Sequence, residues 1–199
     1  GATFSNRRLH ASPEVDWSLA AGVITAAKQE PGNGVNPQSC LNYQRPLLDG
    51  ESISYEFEYS PDEFHVHPAL GRMAFLLEPG GVQVHWMTSG GFEWTGLPSD
   101  NALLEPLSRR GPRPLPLKEG DWNVATLARV DGKVTLSLNE VVIYQRDVDF
   151  GSDHSFGFYR ERTKTAVKIR NVVMTGDWPE TLPADVLENP TVTVDLVAK

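Results

Sequence analysis

Alternate residues of one predicted strand, 52–60, carry carboxylates that could act in glycoside cleavage. Glu56 and Glu58 lie on one face of this strand, because successive strand side chains point to opposite faces. Their Cα atoms would lie ~6.5–7 Å apart, and glycoside cleavage commonly uses two carboxylates ~5 Å or ~6.5–9.5 Å apart. His85 adds an imidazole suited to proton transfer. We therefore predict that the catalytic candidates are Glu56, Glu58 and His85.

Side chains on other predicted segments could bind the same ligand. Gln83 shares a strand face with His85, and Tyr159 shares one with Glu161. If these strands are neighbours, their polar side chains converge on the concave face of a sheet, and Trp94 in an irregular segment could stack on a sugar. The predicted ligand contacts are Arg72, Gln83, Trp94, Tyr159 and Arg160. The competing interpretation is the polar solvent face that antiparallel sheets ordinarily have.

A pair of histidines suggests a second kind of chemistry. His65 and His67 are two residues apart in an extended segment and point the same way, a spacing that can ligate a metal ion together with Asp62 or Glu63. The alternative is packing in a surface loop. Since no further ligand is near in sequence, we predict no metal site and no cofactor. The chain also has no phosphate-binding loop, dinucleotide fingerprint or nucleophile elbow.

The elements that must position these residues are β-strands, and the clearest signal lies in 121–148. Apolar and polar residues alternate on both sides of Asp131-Gly132. Asp-Gly supplies the positive φ of a type I′ hairpin turn, and Asn139-Glu140 marks a second turn. The segment therefore predicts a three-stranded meander, which needs an opposing sheet to bury its apolar face.

Turn residues divide the rest of the chain into similar short strands. Residues 16–30 predict two strands around an Ala-Ala-Gly turn, 52–60 alternates cleanly, and 163–177 predicts a strand with a bulge at Asn171. About ten to twelve strands and almost no helix result. The predicted fold is therefore all-β: a two-sheet antiparallel jelly-roll sandwich with very little helix.

The predicted domain organisation has three parts. A lead-in segment, 1–15, precedes a jelly-roll domain, 16–178, and a C-terminal tail follows at 179–199. Within the domain, a long loop at 89–119 is rich in glycine, proline and arginine. Loops of this length are uncommon in compact domains and are often functional.

Composition excludes several classes of partner. The 199 residues carry a net charge of −8, which argues against nucleic acid or an anionic membrane surface as partner. No apolar run approaches the ~18 residues of a membrane span. The single cysteine, Cys40, excludes a disulfide framework and a cysteine-rich zinc site, and we predict that it is buried.

Four local patterns occur between residues 16 and 177: a pair of entry strands, an outer strand, a hairpin and a closing strand pair. They are Asp16-Trp17 with Gly22-Val23-Ile24, Ser54-Tyr55-Glu56-Phe57, Asp121-Trp122-Asn123 with the hairpin 131–139, and Phe156-Gly157-Phe158-Tyr159 with 167–172. Through them the chain resembles the concanavalin A-like (LamG-type) jelly-roll superfamily. Within that superfamily it resembles the bacterial families related to the 3-keto-disaccharide hydrolase domain, and among these a domain family of unknown function found in planctomycete proteins. The catalytic Glu-x-Asp-x-x-Glu strand of the glucanase members is missing from this sequence.

The resemblance implies a carbohydrate-facing role for the concave sheet and assigns no reaction. We predict a carbohydrate-recognition module, part of a larger exported protein that is periplasmic or secreted. Its expected partners are a saccharide or glycoside ligand and neighbouring domains of a longer chain, with no nucleic acid and no membrane insertion. Two alternatives stay open: a glycoside hydrolase or lyase acting through carboxylates on the concave sheet, and a non-catalytic structural or protein-interaction domain.

Overall fold

Two antiparallel β-sheets form the protein in the computed structural model, which describes residues 4–7, 16–30, 38–87, 102–103, 106, 109, 111–148 and 154–176. Sheet A contains, in spatial order, β1 (Phe4–Arg7), β4 (Gln38–Pro46), β13 (Ser155–Glu161), β6 (His67–Leu70), β7 (Met73–Glu78), β8 (Gly81–Trp86) and β9 (Ala102–Leu103). Sheet B contains β12 (Val141–Asp147), β11 (Lys133–Leu138), β10 (Asp121–Val130), β5 (Ser52–Tyr59), β14 (Val167–Thr175), β3 (Val23–Ala26) and β2 (Ser18–Ala20). The predicted all-β jelly-roll sandwich is confirmed.

The predicted meander forms three of the seven strands of sheet B, β10, β11 and β12, at one edge of the sheet. Asp131 and Gly132 have φ of 52° and 70°, and Asn139 and Glu140 have φ of 48° and 70°, which are the left-handed pairs of a type I′ turn. The second turn lacks the usual glycine. The Asn139 side chain compensates, because its Oδ1 accepts the Val124 N–H at 2.9 Å.

Alternating apolar residues of both sheets meet in one core. Tyr55 and Phe57 of β5 point inward from sheet B, and Phe156 and Phe158 of β13 point inward from sheet A; all four are fully buried. The Tyr55 ring centroid lies 4.9 Å from that of Phe158 and 6.0 Å from that of Phe156. Large buried rings dominate the energetics of a core, so this contact holds the two sheets against each other.

Three strands lie where the sequence predicted other structure. The structure places β6 in the interior of sheet A, between β13 and β7, whereas packing in a surface loop was one expectation for the segment that contains His65 and His67. β1 pairs with β4 although it falls in the predicted lead-in, and β9 pairs with β8 within the predicted loop 89–119. Pairing with β4 for β1, with β13 and β7 for β6, and with β8 for β9 decides these positions, and the pattern within each segment does not encode it.

Two expectations from composition can be compared with the structure. Cys40 is buried, and its Sγ donates to Asn42 Oδ1 at 3.3 Å. In the part of the chain that the structure describes, no helix is long and apolar enough to cross a membrane.

Candidate functional site

The outer face of sheet A gathers polar side chains from five neighbouring strands. Residues directly opposite each other in an antiparallel pair lie on the same face of the sheet. The register therefore places on this face Gln38, Cys40 and Asn42 of β4, Gly157, Tyr159 and Glu161 of β13, His67 and Ala69 of β6, Ala74, Leu76 and Glu78 of β7, and Gln83 and His85 of β8. Three predicted site residues, Gln83, His85 and Tyr159, thus share one face.

Side chains of well-separated strands meet across this face, which shows that the face is concave. Gln38 and His85 lie on strands four spacings apart, ~19 Å on a flat sheet, yet the Gln38 amide Nε2 donates to His85 Nε2 at 3.0 Å. The rings of His85 and Tyr159 stack with centroids 5.1 Å apart. The two strands between them carry the small residues Ala69 and Ala74 at this level, which leaves room for the stack.

The hydroxyl of Tyr159 is buried on the concave face without a protein partner. Tyr159 is 1% exposed, and its Oη makes no hydrogen bond. Burial raises the pKa of this phenol, and the negative charge of Glu161 raises it further. Tyr159 therefore stays protonated and has a free donor and acceptor. A buried hydroxyl of this kind needs water or a ligand to satisfy it.

Replacing Gly157 by alanine is expected to destabilise the protein, because Gly157 leaves room for two side chains of β4. A Cβ at Gly157 would lie 2.6 Å from Asn42 Oδ1 and 2.7 Å from Cys40 Sγ, and such overpacking costs about 1–3 kcal/mol. Urea unfolding measures the loss. The control is Gly80→Ala, since a Cβ there meets nothing within 4 Å; equal unfolding midpoints for the two variants would contradict the prediction.

The concave face is partly open to solvent at one end of its strands, and we call this part of the face the strip. It consists of His67, Leu76, Glu78, Gln83 and Glu161, all half-buried. On the same face, Tyr159, which is paired with His67, and His85, two residues from Gln83, are buried. The strip offers an imidazole, an amide, two carboxylates and one apolar side chain. It is therefore the accessible part of the face on which a ligand could be hydrogen-bonded.

Two carboxylates and one lysine determine the charge around the strip. Burial raises the pKa of Glu78, the nearby Lys164 lowers it, and the negative charge of Glu161 raises it again. Lys164 pairs with Glu161, with Nζ 2.9 Å from Oε2. The charge of Glu161 thus acts on Glu78, and the two carboxyl groups have different environments, since Glu161 is paired with Lys164 and burial raises the pKa of Glu78.

The histidine pair His65 and His67 binds the backbone of Leu77. His65 Nε2 donates to the Leu77 carbonyl at 2.7 Å, and the Leu77 N–H donates to His67 Nδ1 at 3.0 Å. These bonds continue the pairing of sheet A where β6 ends. They engage one nitrogen of each ring, and the structure shows no group of three metal-capable side chains among its described residues.

The predicted carboxylates Glu56 and Glu58 lie on the other sheet, so the expected convergence with Gln83 and His85 is wrong. Strand β5 pairs with β10 and β14 in sheet B, and both side chains point to its outer face. Glu56 accepts hydrogen bonds from Asn171 and from Arg170, which lower its pKa. Glu58 accepts one from Lys168 at 2.8 Å. Neighbouring side chains on sheet B therefore already engage both carboxylates.

Arg160 is not placed to contact a ligand, which corrects that prediction. It points inward, is fully buried, and pairs with the buried Asp16. Its Nη1 donates to the carbonyls of Ala27 and Thr165 at 2.8 and 3.0 Å. Burial lowers the pKa of this guanidinium and the Asp16 carboxylate raises it. The physical reason is parity, because Tyr159 takes the outer face and its neighbour must turn to the interior.

A further predicted ligand contact, Arg72, lies away from the strip. Arg72 is exposed in the turn before β7, and its Nε donates to the Met87 carbonyl at 2.8 Å. Glu78 is at the opposite end of β7, so Arg72 lies at the far end of the concave face. Trp94 lies outside the described residues.

The sequence prediction missed Glu78 as a site residue, although a local signal was present. The turn after Glu78 joins β7 to β8, and the register pairs Glu78 with Gly81 and Leu76 with Gln83. Parity across this one hairpin places Glu78 on the same face as Gln83. His67 was considered for metal binding alone, although the same parity rule places it opposite Tyr159.

Comparisons with known proteins agree with this architecture. Residues 32–181 match the family described as Domain of unknown function (DUF1583_N). The fold is similar to carbohydrate binding module CBM66 from Bacillus subtilis, at a TM-score of 0.55 and 9% identity over 88% of this chain and 97% of that one. It is also similar to the exoplasmic/lumenal domain of VIP36, at 0.50 and 8% identity over 92% and 89% of the two chains. No curated protein sequence matches the chain.

Proposed function

We propose that this chain, which belongs to the DUF1583_N family, a domain of unknown function, is a carbohydrate-recognition module that binds a saccharide along the strip. The observation that carries the proposal is the unpartnered Tyr159 hydroxyl, which is buried on the same face as the amide of Gln83 and the imidazole of His67. The ring centroids of Tyr159 and His67 lie 6.2 Å apart. Sugar hydroxyls both donate and accept hydrogen bonds, and concave sites recognise small molecules with a few convergent polar groups. Leu76 adds an apolar surface for the C–H face of a sugar.

Proteins of similar fold support this proposal. CBM66 is described as a carbohydrate binding module, and the VIP36 domain was solved in a Ca²⁺/Man3GlcNAc-bound form. At 9% and 8% identity these likenesses concern the fold, so the ligand of this chain must follow from its own residues. We further propose that the module works in an exported protein, periplasmic or secreted, beside other domains of a longer chain.

Tyr159→Phe is expected to weaken saccharide binding about three- to tenfold without destabilising the protein. Since the hydroxyl has no protein partner, its removal costs no internal hydrogen bond, whereas a bond to ligand or to a bridging water is worth about 0.5–1.5 kcal/mol. Tryptophan fluorescence or calorimetric titration with a panel of soluble oligosaccharides measures affinity, and thermal unfolding measures stability.

Tyr55→Phe is the matched control. Tyr55 Oη is also buried without a partner, but it lies in the core between the sheets, where no ligand can reach it. This variant should therefore leave both affinity and stability nearly unchanged. Equal affinities for the two variants, or no binding of any saccharide by the parent protein, would contradict the proposed site.

Glycoside cleavage is the second candidate function. For this reaction the carboxyl groups of the strip are better candidates than Glu56 and Glu58 of β5. Glu78 and Glu161 are two carboxyl groups with different environments, and the pKa of Glu78 is raised by burial. Glycosidases use such a pair as acid and as base or nucleophile. The same oligosaccharide panel separates the candidates: a binding module releases no reducing ends, whereas an enzyme releases them and loses this activity in Glu78→Gln. If the panel gives neither result, a structural or protein-interaction role remains.

A further inference from the structure

Two histidines bind the backbone of Leu77, and these bonds determine which nitrogen of each ring has a proton. A backbone N–H only donates, so His67 Nδ1, 3.0 Å from the Leu77 nitrogen, accepts and has no proton. A carbonyl oxygen only accepts, so His65 Nε2, 2.7 Å from the Leu77 oxygen, has the proton of its ring. The bond that one ring nitrogen makes thus fixes the other nitrogen as well.

The proton of the His67 ring therefore lies on Nε2. A second proton, on Nδ1, would break the bond from the Leu77 N–H. Burial also lowers the pKa of His67 well below its usual value. At neutral pH the His67 ring is uncharged, and its Nε2–H donates hydrogen bonds without accepting any.

This N–H is the donor that the strip presents to a ligand. Within the part of the chain that the structure describes, no group accepts a hydrogen bond from His67 Nε2. The His67 side chain is half-buried, and its Nε2 is not among the buried polar atoms that lack a partner, so this nitrogen is accessible to solvent. His65 differs, since its Nε2–H is already bound to the Leu77 carbonyl.

Neighbouring rings hold the His67 ring in place. Its centroid lies 4.3 Å from that of His65 and 6.2 Å from that of Tyr159, which is its direct partner in the register of β6 and β13. Together with the bond from Leu77, these contacts fix the orientation of the Nε2–H before a ligand arrives. A group held in this way loses little conformational entropy on binding.

We infer that His67 is a specificity-determining residue of the strip, which donates its Nε2–H to an oxygen atom of the saccharide. This inference depends on the proposed function and specifies the ligand group at one position of the site. A hydroxyl, ring or acetamido oxygen accepts such a bond, whereas an ammonium group has only donors. The Tyr159 hydroxyl adapts to a donor or an acceptor, but His67 does not. His67 therefore decides that an oxygen acceptor faces this part of the strip.

Nuclear magnetic resonance of the ¹⁵N-labelled histidine rings tests the inference. The probes are neutral gluco-, manno- and N-acetylchito-oligosaccharides, and calorimetry identifies the one that binds most tightly. In the free protein we expect both His65 and His67 to have their proton on Nε2. The bound probe should shift the His67 Nε2–H resonance and slow its exchange with water, and it should leave the His65 Nε2–H unchanged. A His67 proton on Nδ1, or an unchanged His67 resonance with a bound probe, would overturn the inference.

His67→Asn removes the donor and keeps the bond to Leu77. The Oδ1 atom of asparagine can still accept the Leu77 N–H, but the shorter side chain does not reach the position of Nε2. Affinity for the probe should fall about three- to tenfold, the value of one hydrogen bond. His65→Gln is the matched control, because it also replaces a histidine bound to Leu77 by an amide; its affinity should equal that of the parent.

The two variants and the parent separate the possible failures. Equal losses of affinity in His67→Asn and His65→Gln would mean that the histidines act through Leu77 alone, which would overturn the inference and leave the proposed function standing. No binding of any probe by the parent protein would overturn both.

Discussion

Replacing Asp16 by asparagine is expected to lower the free energy of unfolding by about 3–5 kcal/mol, the usual cost of breaking a buried ion pair. The Asp16 side chain is buried between two buried guanidiniums. Arg160 Nη2 donates to Asp16 Oδ1, and Arg162 Nε lies 3.2 Å from Asp16 Oδ2. Neutralising the carboxylate leaves two cations in the interior without a counter-charge. Chemical unfolding, with both the midpoint and the slope fitted, measures the change.

Glu56→Gln is the matched control for Asp16→Asn. It makes the same change from carboxylate to amide, and Glu56 also pairs with an arginine, with Arg170 Nε at 2.7 Å. That pair is partly exposed, so its loss should cost about 0–1 kcal/mol. Similar losses in the two variants would contradict the buried-pair argument.

A double variant keeps the test informative if Asp16→Asn proves too unstable to purify. Adding Arg162→Gln removes one of the two uncompensated cations. The combination should therefore be more stable than Asp16→Asn alone, and its total loss should be smaller than the sum of the single losses. Additive losses would mean that the two side chains do not interact.

The two outer faces of the sandwich differ in whether their polar and charged side chains already have partners within the protein. On sheet B, the Arg170 guanidinium both binds Glu56 and lies 3.9 Å above the ring of Trp122. Lys168 both binds Glu58 and lies 4.0 Å above the ring of Phe64. The charged and aromatic groups there thus contact each other. On sheet A, a buried hydroxyl without a partner remains, which is why the proposed site lies on that sheet.

Local features of this fold could be predicted from the sequence because neighbouring residues determine them. The Asp131-Gly132 turn fixes the register of β10 and β11, since each residue takes a positive φ that few others tolerate. Alternation in β5 correctly places Tyr55 and Phe57 in the core. The bulge predicted at Asn171 is also present, with φ of 51° and a register shift between Arg170 and Val173.

Sheet membership could not be predicted, because it depends on pairing between distant segments. Alternation shows that Glu56 and Glu58 share a face, but it does not show to which sheet β5 belongs. Its partners β10 and β14 lie more than sixty residues away in sequence. The role of Arg160 was hidden for the same reason. Its counter-ion is Asp16, at a sequence separation of 144 residues, and no local pattern connects the two.

Acid is expected to destabilise the protein between pH 6.5 and about pH 4, through His65. Burial lowers the pKa of His65 from 6.5 to about 4, and the hydrogen bond to Leu77 opposes this shift only in part. In this window the unfolded chain binds a proton at His65 and the folded protein does not. Stability therefore falls as the pH decreases, by about 3 kcal/mol over the whole window from one group. Above pH 6.5 the contribution of His65 is constant.

His65→Gln isolates this contribution. Glutamine cannot titrate, yet its amide can still donate to the Leu77 carbonyl that His65 Nε2 now binds. The variant should be less stable than the parent at pH 7.5, because it loses the ring contacts with Tyr59 and Phe57. Its deficit should shrink by about 3 kcal/mol on going to pH 4, since only the parent loses the histidine contribution. Glu78, whose raised pKa acts in the opposite direction, titrates in both proteins and cancels in the difference. Parallel stability curves from pH 7.5 to pH 4 would show that the folded protein protonates His65 as readily as the unfolded chain does.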